Sequence, residues 1–174
     1  MADRKSEKCQ GCCQLDFDIL PANKPPAIDA GYWVQAVASG EVCGYDDSGS
    51  ISISAERLIP LGVYTVWFAT DRGLRPAAPT DAVYTADGFD PNRLVVNSDG
   101  ILNYYIAPLN FNPFRGIPLP GSKTTAIIQG VVIGFNSNRL TNGTVPGEFN
   151  VTFFEQLSAD FCLSRLSDKG CSEE

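Results

Sequence analysis

The stretch GVYTVWFAT, residues 62 to 70, decides the fold class of this chain, because it is rich in β-branched and aromatic side chains. A second stretch, TTAIIQGVVIGF at residues 124 to 135, is apolar and β-branched along most of its length. A continuous apolar run of this kind predicts a strand buried on both faces, with Gly130 at a bulge or a close approach. Both stretches therefore predict central strands of a β-protein.

Shorter strand signals surround these two stretches at close spacing. YWVQAVAS at residues 32 to 39, SISISAERL at 50 to 58 and NVTFFEQL at 150 to 157 each predict a strand. The turn NSDG lies between two apolar runs and predicts a hairpin with strands near residues 94 to 96 and 101 to 107. About eight strands without a convincing helix predict an all-β chain, a single β-sandwich or jelly roll.

The first 30 residues differ in composition from the rest and predict an N-terminal arm. They begin with the charged segment MADRKSEK and run into PANKPPAIDAG, whose adjacent prolines favour extended backbone. The chain is therefore divided into a cysteine-bearing arm with a Pro linker at residues 1 to 30, a β-sandwich body at 31 to 161 and a C-terminal tail at 162 to 174.

The arm contains an alternating segment, LDFDIL, that has the period of a half-buried strand. Leu15, Phe17 and Ile19 are expected on one face of this strand, with acidic residues on the other. An amphipathic strand needs a sheet to join, so these three side chains are the predicted assembly residues. Because the arm is predicted to stand outside the body, removal of residues 1 to 20 is expected to leave a folded domain.

Six cysteines make the arm and the tail chemically distinctive. They are Cys9, Cys12, Cys13, Cys43, Cys162 and Cys171. Thiolates suit zinc and iron–sulfur clusters, but one C-x-x-C-C cluster without histidine is a weak metal signal, and disulfides are preferred. Six cysteines allow fifteen pairings, and Cys12 and Cys13 are expected to have different partners because neighbouring residues do not readily bond each other. Bonds within one chain and bonds between chains both remain open.

Composition excludes several classes of function. A net charge of −7 with 13 basic residues argues against nucleic acid, and the absence of a long apolar run argues against membrane insertion. Histidine is absent and no catalytic motif is recognisable. We therefore expect that the chain is not an enzyme and binds no cofactor and no metal. MADRKSEK lacks the apolar region of a signal peptide, yet persistent disulfides belong to oxidising compartments. An extracellular or cell-surface location is therefore expected.

Two further patterns suggest ligand sites. Six aromatic side chains could line a sugar-binding face, although alternation predicts that at least half of them pack in the core. They are Tyr32, Trp33, Tyr64, Trp67, Tyr104 and Tyr105. The acidic turns DDSGS, residues 46 to 50, and ADGFD, residues 86 to 90, contain calcium-ligand types but lack the calcium-loop pattern, so ordinary turns are favoured.

The segment SISISAERLIPLGVYTVWFA, followed by NSDG and VPGEFNVTFFEQLSADF, resembles small secreted bacterial and archaeal β-sandwich domains of unassigned activity. The likeness covers residues 50 to 161. Its motifs are structural, so it implies the fold and a secreted location rather than an activity.

An adjacent cysteine pair in an N-terminal arm ahead of a jelly roll resembles the subunits of bacterial endospore appendages. The resemblance implies that the arm enters neighbouring subunits and is fixed there by disulfides of Cys12 and Cys13. It also implies a location on the spore surface. In this chain Cys43 comes later than in that family, the body is longer and Cys9 is extra.

Two functions follow as hypotheses. The first is a structural subunit that self-assembles into an extracellular filament or surface layer, a homopolymer joined through the N-terminal arm by strand addition and disulfides. The second is a monomeric secreted binding module with intrachain disulfides, in which loops 71 to 93 and 110 to 123 hold a ligand such as a carbohydrate.

Overall fold

The computed structural model describes residues 11–78 and 90–162, in which two antiparallel sheets face each other across a shared core. The predicted all-β sandwich is confirmed.

The first sheet has four strands, in the order β1-β3-β4-β8. These strands are β1 (Gly11–Asp16), β3 (Val37–Tyr45), β4 (Ser48–Glu56) and β8 (Leu102–Leu109). Strands β3 and β4 form a hairpin in which Tyr45 pairs with Ser48 across a two-residue turn. Along β4 the isoleucines face inward while the serines face outward, which is the alternation expected of a sheet with one solvated face.

The second sheet has the order β2-β12-β11-β5-β6, and β7 pairs with the N-terminal end of β5. These strands are β2 (Asp18–Ile19), β5 (Val63–Thr70), β6 (Gly73–Pro76), β7 (Leu94–Val95), β11 (Ile128–Asn136) and β12 (Phe153–Asp160). Strand β11 lies between β5 and β12 and is buried on both faces, as its apolar run predicts. Its pairing with β5 shifts between Ile128 and Gly130, where the bulge was expected.

Four short elements complete the described chain. Three are the helix α1 (Ala30–Val34), the strand β9 (Ile117–Pro118) and the strand β10 (Thr125–Ala126), and the two strands form a small sheet of their own. The fourth is a 3-10 turn, Pro21–Asn23, between β2 and α1.

The core lies between the two sheets and is rich in aromatic side chains. Trp33, Tyr64 and Phe68 are fully buried there, and Phe135 contacts both Trp33 and Tyr64. A second, smaller cluster lies on the outer face of the six-stranded sheet and consists of Trp67, Val132 and Phe153 with neighbouring apolar side chains.

The hairpin predicted at NSDG is wrong, although strands do flank this turn. Strand β7 belongs to the six-stranded sheet and β8 to the four-stranded sheet, so the turn carries the chain from one sheet to the other. The side chain of Asn97 accepts hydrogen bonds from the amides of Asp99 at 3.1 Å and Ile101 at 2.9 Å. The carbonyl of Gly100 accepts from the amide of Leu58 at 3.0 Å, which anchors the turn to the loop after β4.

The strand predicted at residues 32 to 39 begins later, at Val37. Its first half is instead the helix α1, whose N-cap Asp29 accepts a hydrogen bond from Gly31 N at 2.8 Å. In this helical turn the indole of Trp33 lies in the core at 0% exposure.

In the described residues, the search for a helix long and apolar enough to cross a bilayer finds none.

Candidate functional site: the N-terminal clasp and the outer sheet face

The described part of the predicted arm lies in the sandwich of its own chain. Strand β1 pairs with β3 from Gly11 opposite Gly44 to Asp16 opposite Ser39, and β2 pairs with β12. The chain thus passes from one sheet to the other at Phe17. We call residues 11–19 the N-terminal clasp, because they join both sheets along one edge.

The clasp contributes its apolar face to the core. Leu15 is 1% exposed, and Phe17 and Ile19 are partly buried against the core cluster. Leu15 lies on β1, Ile19 lies on β2 and Phe17 lies between these strands, and all three contact the core that the two sheets share. In this structure the sheets they complete belong to the same chain.

The first disulfide fastens the clasp to the neighbouring strand. Cys12 and Cys43 lie opposite each other on β1 and β3, with Cα atoms 4.1 Å apart. This bond closes a sequence separation of 31 residues.

The second disulfide joins the two sheets. Cys13 on β1 bonds to Cys162, two residues beyond the end of β12, with Cα atoms 6.0 Å apart and a sequence separation of 149. The amide of Cys162 also donates to Cys13 Sγ at 3.3 Å. The neighbouring cysteines have different partners, as expected, whereas Cys9 and Cys171 lie outside the described residues. Two such bonds indicate an oxidising, non-cytosolic environment.

A buried polar network holds the linker that follows the clasp. Gln156 is fully buried; its amide donates to Trp33 O at 2.9 Å and its carbonyl oxygen accepts from Tyr64 Oη at 2.7 Å. The indole of Trp33 donates in turn to Leu20 O at 2.9 Å. Burial raises the pKa of Tyr64 well above its ordinary value, so the phenol stays protonated and keeps donating. No sequence pattern singled out Gln156.

The linker itself makes further hydrogen bonds to β12 and within its own turn. Leu20 N donates to Gln156 O at 2.9 Å, and Asn23 Nδ2 donates to Glu155 O at 3.2 Å. Lys24 Nζ donates to the carbonyls of Pro25 and Ile28 at 2.9 and 2.7 Å. The Pro-bearing segment is therefore docked on the sandwich.

The outer face of the four-stranded sheet carries a shallow polar depression of about 530 Å³. We call it the serine trough and define it by six side chains on four adjacent strands. They are Gln14, Glu41, Ser52, Ser54, Asn103 and Tyr105.

Four of the six aromatic side chains are buried, which agrees with the expectation that at least half of them pack in the core. Trp33, Tyr64, Trp67 and Tyr104 are at most 5% exposed, whereas Tyr32 on α1 is 61% exposed and Tyr105 in the trough is 70% exposed. Only Tyr105 combines high exposure with a concave polar surrounding. Among the six it is the exposed aromatic residue that lines this depression.

The ligand types near the clasp do not fit a metal. Cys12, Cys43 and Glu41 bring their ligating atoms within 4.8 Å of one another. The two sulfur atoms are bonded to each other, however, and a disulfide offers no thiolate to an ion.

The acidic turns behave as ordinary turns where the structure describes them. Asp47 is exposed, and its Oδ1 lies 3.5 Å from Arg115 Nη1. Asp90 accepts hydrogen bonds from the amides of Asn92 at 2.9 Å and Gly143 at 3.0 Å. Residues 86 to 89 of the second turn lie outside the described residues, as does much of the predicted ligand loop 71 to 93. The other predicted ligand loop, 110 to 123, contains β9.

Comparisons of this chain with protein-family models, with curated proteins and with solved structures find no match.

Proposed function

We propose that this chain is an extracellular, monomeric β-sandwich that acts by binding a ligand on its open sheet face and catalyses no reaction. The observation that carries the proposal is the N-terminal clasp, which satisfies its sheet-pairing and its disulfides within one chain. A chain that is closed in this way has no need of a neighbour to complete its core. The surface left for function is then its exposed face, where the serine trough lies.

Oligomeric state and disulfide mapping test this proposal on native material. We expect a single 18.8 kDa species in light scattering and on non-reducing electrophoresis. Peptide mapping should recover Cys12 bonded to Cys43 and Cys13 bonded to Cys162 in that species. A disulfide-linked ladder that collapses on reduction would reject the monomeric module.

A self-assembling extracellular subunit is the second candidate, and one feature of the clasp favours it. The clasp is an edge element that leads into the body through residues 20–29, and it contributes strand pairs and core side chains rather than a separate fold. An identical clasp from a second chain could make the same contacts, which is the route by which subunits exchange strands. Repeated exchange would give the filament or surface layer, with Cys12 and Cys13 forming the links between subunits.

The two candidates predict opposite disulfide patterns from the same residues. If the native protein is a polymer, mixed isotope labelling should give the Cys13–Cys162 peptide pair with one labelled and one unlabelled half. In the monomeric module, both halves of every such pair carry the same label.

A further inference from the structure

The shape of the serine trough follows from the size of the side chains on four adjacent strands. Glu41 of β3 pairs with Gln14 on one side and with Ser52 on the other, and Ser52 pairs with Tyr105. The large side chains therefore stand at the two sides, and the small serines form the floor between them. Four neighbouring strands span about 14 Å from Gln14 to Tyr105, so the trough is long enough for an extended ligand rather than a single ion.

A second row of polar side chains continues the trough along the strands. Asp16 pairs with Ser39, Ser39 with Ser54, and Ser54 with Asn103. Ser54 Oγ donates to Asn103 Oδ1 at 3.2 Å. Within the described part of the chain, the hydroxyls of Ser39 and Ser52 make no side-chain hydrogen bond. The floor thus keeps donors and acceptors available to a ligand.

The charges around the trough select against anionic ligands. Asp16, Glu41 and Glu56 lie on this face, and none of the four strands carries a lysine or arginine. A phosphate or uronate group would therefore meet only like charge. A peptide ligand would need apolar pockets for its anchoring side chains. The exposed Val37 and Tyr45 of this face lie outside the trough, whose own side chains apart from Tyr105 are serines, amides and a carboxylate.

Once anionic ligands and peptides are excluded, neutral sugars are the ligand class that fits the side chains of the trough. Each sugar hydroxyl both donates and accepts, and a carboxylate, an amide and several hydroxyls can satisfy both functions. The ring of Tyr105, 70% exposed at one side of the trough, offers an aromatic face to the apolar face of a sugar ring.

The wall of the trough formed by Gln14 and Glu41 is held in place before any ligand arrives. Gln14 Nε2 donates to Glu41 Oε2 across β1 and β3, and the adjacent Cys12–Cys43 bond prevents the edge strand from separating. Side chains that are ordered in advance lose less conformational entropy when a ligand binds.

We infer that the serine trough binds a neutral hexose oligosaccharide, with Tyr105 under one sugar ring and the Gln14–Glu41 pair on the hydroxyls of the next. The inference rests on the proposed function and names its ligand class.

Isothermal titration of the full-length oxidised chain tests it. The probes are cellohexaose, maltohexaose and mannohexaose, with a galacturonic acid hexamer as the anionic comparison. We expect at least one neutral probe to bind and the anionic probe not to bind. Failure of all three neutral probes, or tighter binding of the anionic one, overturns the inference.

Variants locate the site for whichever neutral probe binds. Tyr105→Ala and Glu41→Ala should each weaken the affinity by about tenfold or more. Tyr32→Ala is the matched control, because Tyr32 is exposed to a similar extent on α1, outside the trough, and it should leave the affinity unchanged. Equal affinity of Tyr105→Ala and wild type overturns the inference. Thermal unfolding of each variant shows that the fold is kept.

The outcome is separable from that of the proposed function. A monomeric chain that binds none of the neutral sugars leaves the binding module standing with another ligand. A disulfide-linked polymer rejects the monomeric module whether or not its subunits bind sugar.

Discussion

Leu15 lies on an edge strand, yet its side chain is 1% exposed because it points between the two sheets. The same holds for Cys13 beside it at 2% exposure. An edge strand therefore supplies core volume here as well as hydrogen bonds.

Truncation of Leu15 tests how far the clasp belongs to the core. Leu15→Ala should lower the free energy of unfolding by about 2–5 kcal/mol, since it removes buried methyl groups and leaves a cavity. Asp16→Ala, on the exposed face of the same strand, should change it by about 0.5 kcal/mol or less. Urea denaturation measures both variants under oxidising conditions. Similar small effects for the two would mean that the clasp is not packed in the core.

Glu155 gives a pH-dependent prediction. Its side chain is half-buried, and burial raises the pKa of its carboxyl above the ordinary value. The raised pKa means that folding favours the protonated form, so this contribution to stability is present at low pH and is lost as pH rises through the raised pKa. Glu155→Gln should therefore stabilise the fold near neutral pH and have less effect at acidic pH.

Denaturation of wild type and variant at about pH 4 and about pH 7, on either side of a raised glutamate pKa, measures this difference. Glu148→Gln is the control, because Glu148 is exposed in the loop before β12. A Glu155→Gln effect that is the same at both pH values would contradict the burial argument.

At this scale the sequence limits what can be predicted about the aromatics. Trp67 and Tyr105 both lie on outward faces of their sheets, but Trp67 is covered by Phe153 and its neighbours whereas Tyr105 is not. The cover on Trp67 comes from Leu74, Val132 and Phe153 on the neighbouring strands. Alternation predicts the side of a strand on which a residue lies and carries no information on such a cover.

At the scale of elements, the two disulfides differ in what they connect. Cys12–Cys43 joins neighbouring strands of one sheet, whereas Cys13–Cys162 joins the first strand of one sheet to the end of the last strand of the other. Their sequence separations are 31 and 149 residues. The Cys13–Cys162 bond closes the longer loop and therefore removes more conformational entropy from the unfolded chain.

Removing each bond in turn should reveal this difference. In the chain-entropy treatment a loop of 31 residues is worth about 4 kcal/mol and one of 149 about 5 kcal/mol, and measured losses fall at about 2–5 kcal/mol. The double variant Cys13→Ala with Cys162→Ala should therefore unfold at lower denaturant than Cys12→Ala with Cys43→Ala. The reverse order would show that the bond within the sheet is the more important one.

Elements with strong local patterns could be predicted, and their connections could not. The runs that form β5 and β11 are recognisable in the sequence, because both are rich in the β-branched and aromatic residues that favour buried strands. The NSDG turn has the composition of a hairpin, and only the partners of β7 and β8 reveal that it crosses between sheets. Helix α1 is a single turn, too short for helical periodicity to appear in sequence.

For the whole molecule, the sandwich was predictable because many short strand signals with few helical ones leave few alternatives. The cysteine pairs were not, since they depend on which strands become neighbours. The sequence placed the clasp outside the body on composition, whereas its strands lie in both sheets. Removal of residues 1 to 20 is thus no longer expected to leave a complete fold.

Deletion of residues 1 to 20 is therefore the experiment for the whole molecule. The truncated chain loses β1 and β2 and exposes the core side chains they cover, so it should bind hydrophobic dyes and unfold at lower denaturant than the full chain. A truncated chain as stable as the full one would place the clasp outside the core.

A synthetic peptide of residues 11–19 extends this experiment to the choice between the two candidate functions. Because the clasp is one continuous segment, the peptide can make the same strand pairs and the same two disulfides when it is supplied separately. Under oxidising conditions it should restore stability and be recovered covalently bound to Cys43 and Cys162. The same peptide with Leu15→Asp should not restore stability, because a carboxylate cannot occupy the buried position.

Rescue would show that the clasp can be donated from one molecule to another. The monomeric module would then exist only if the clasp of each chain pairs with its own sheets before it pairs with those of a neighbour. If the peptide fails to rescue a truncated chain that remains soluble, exchange between subunits loses its physical basis and the closed monomer stands.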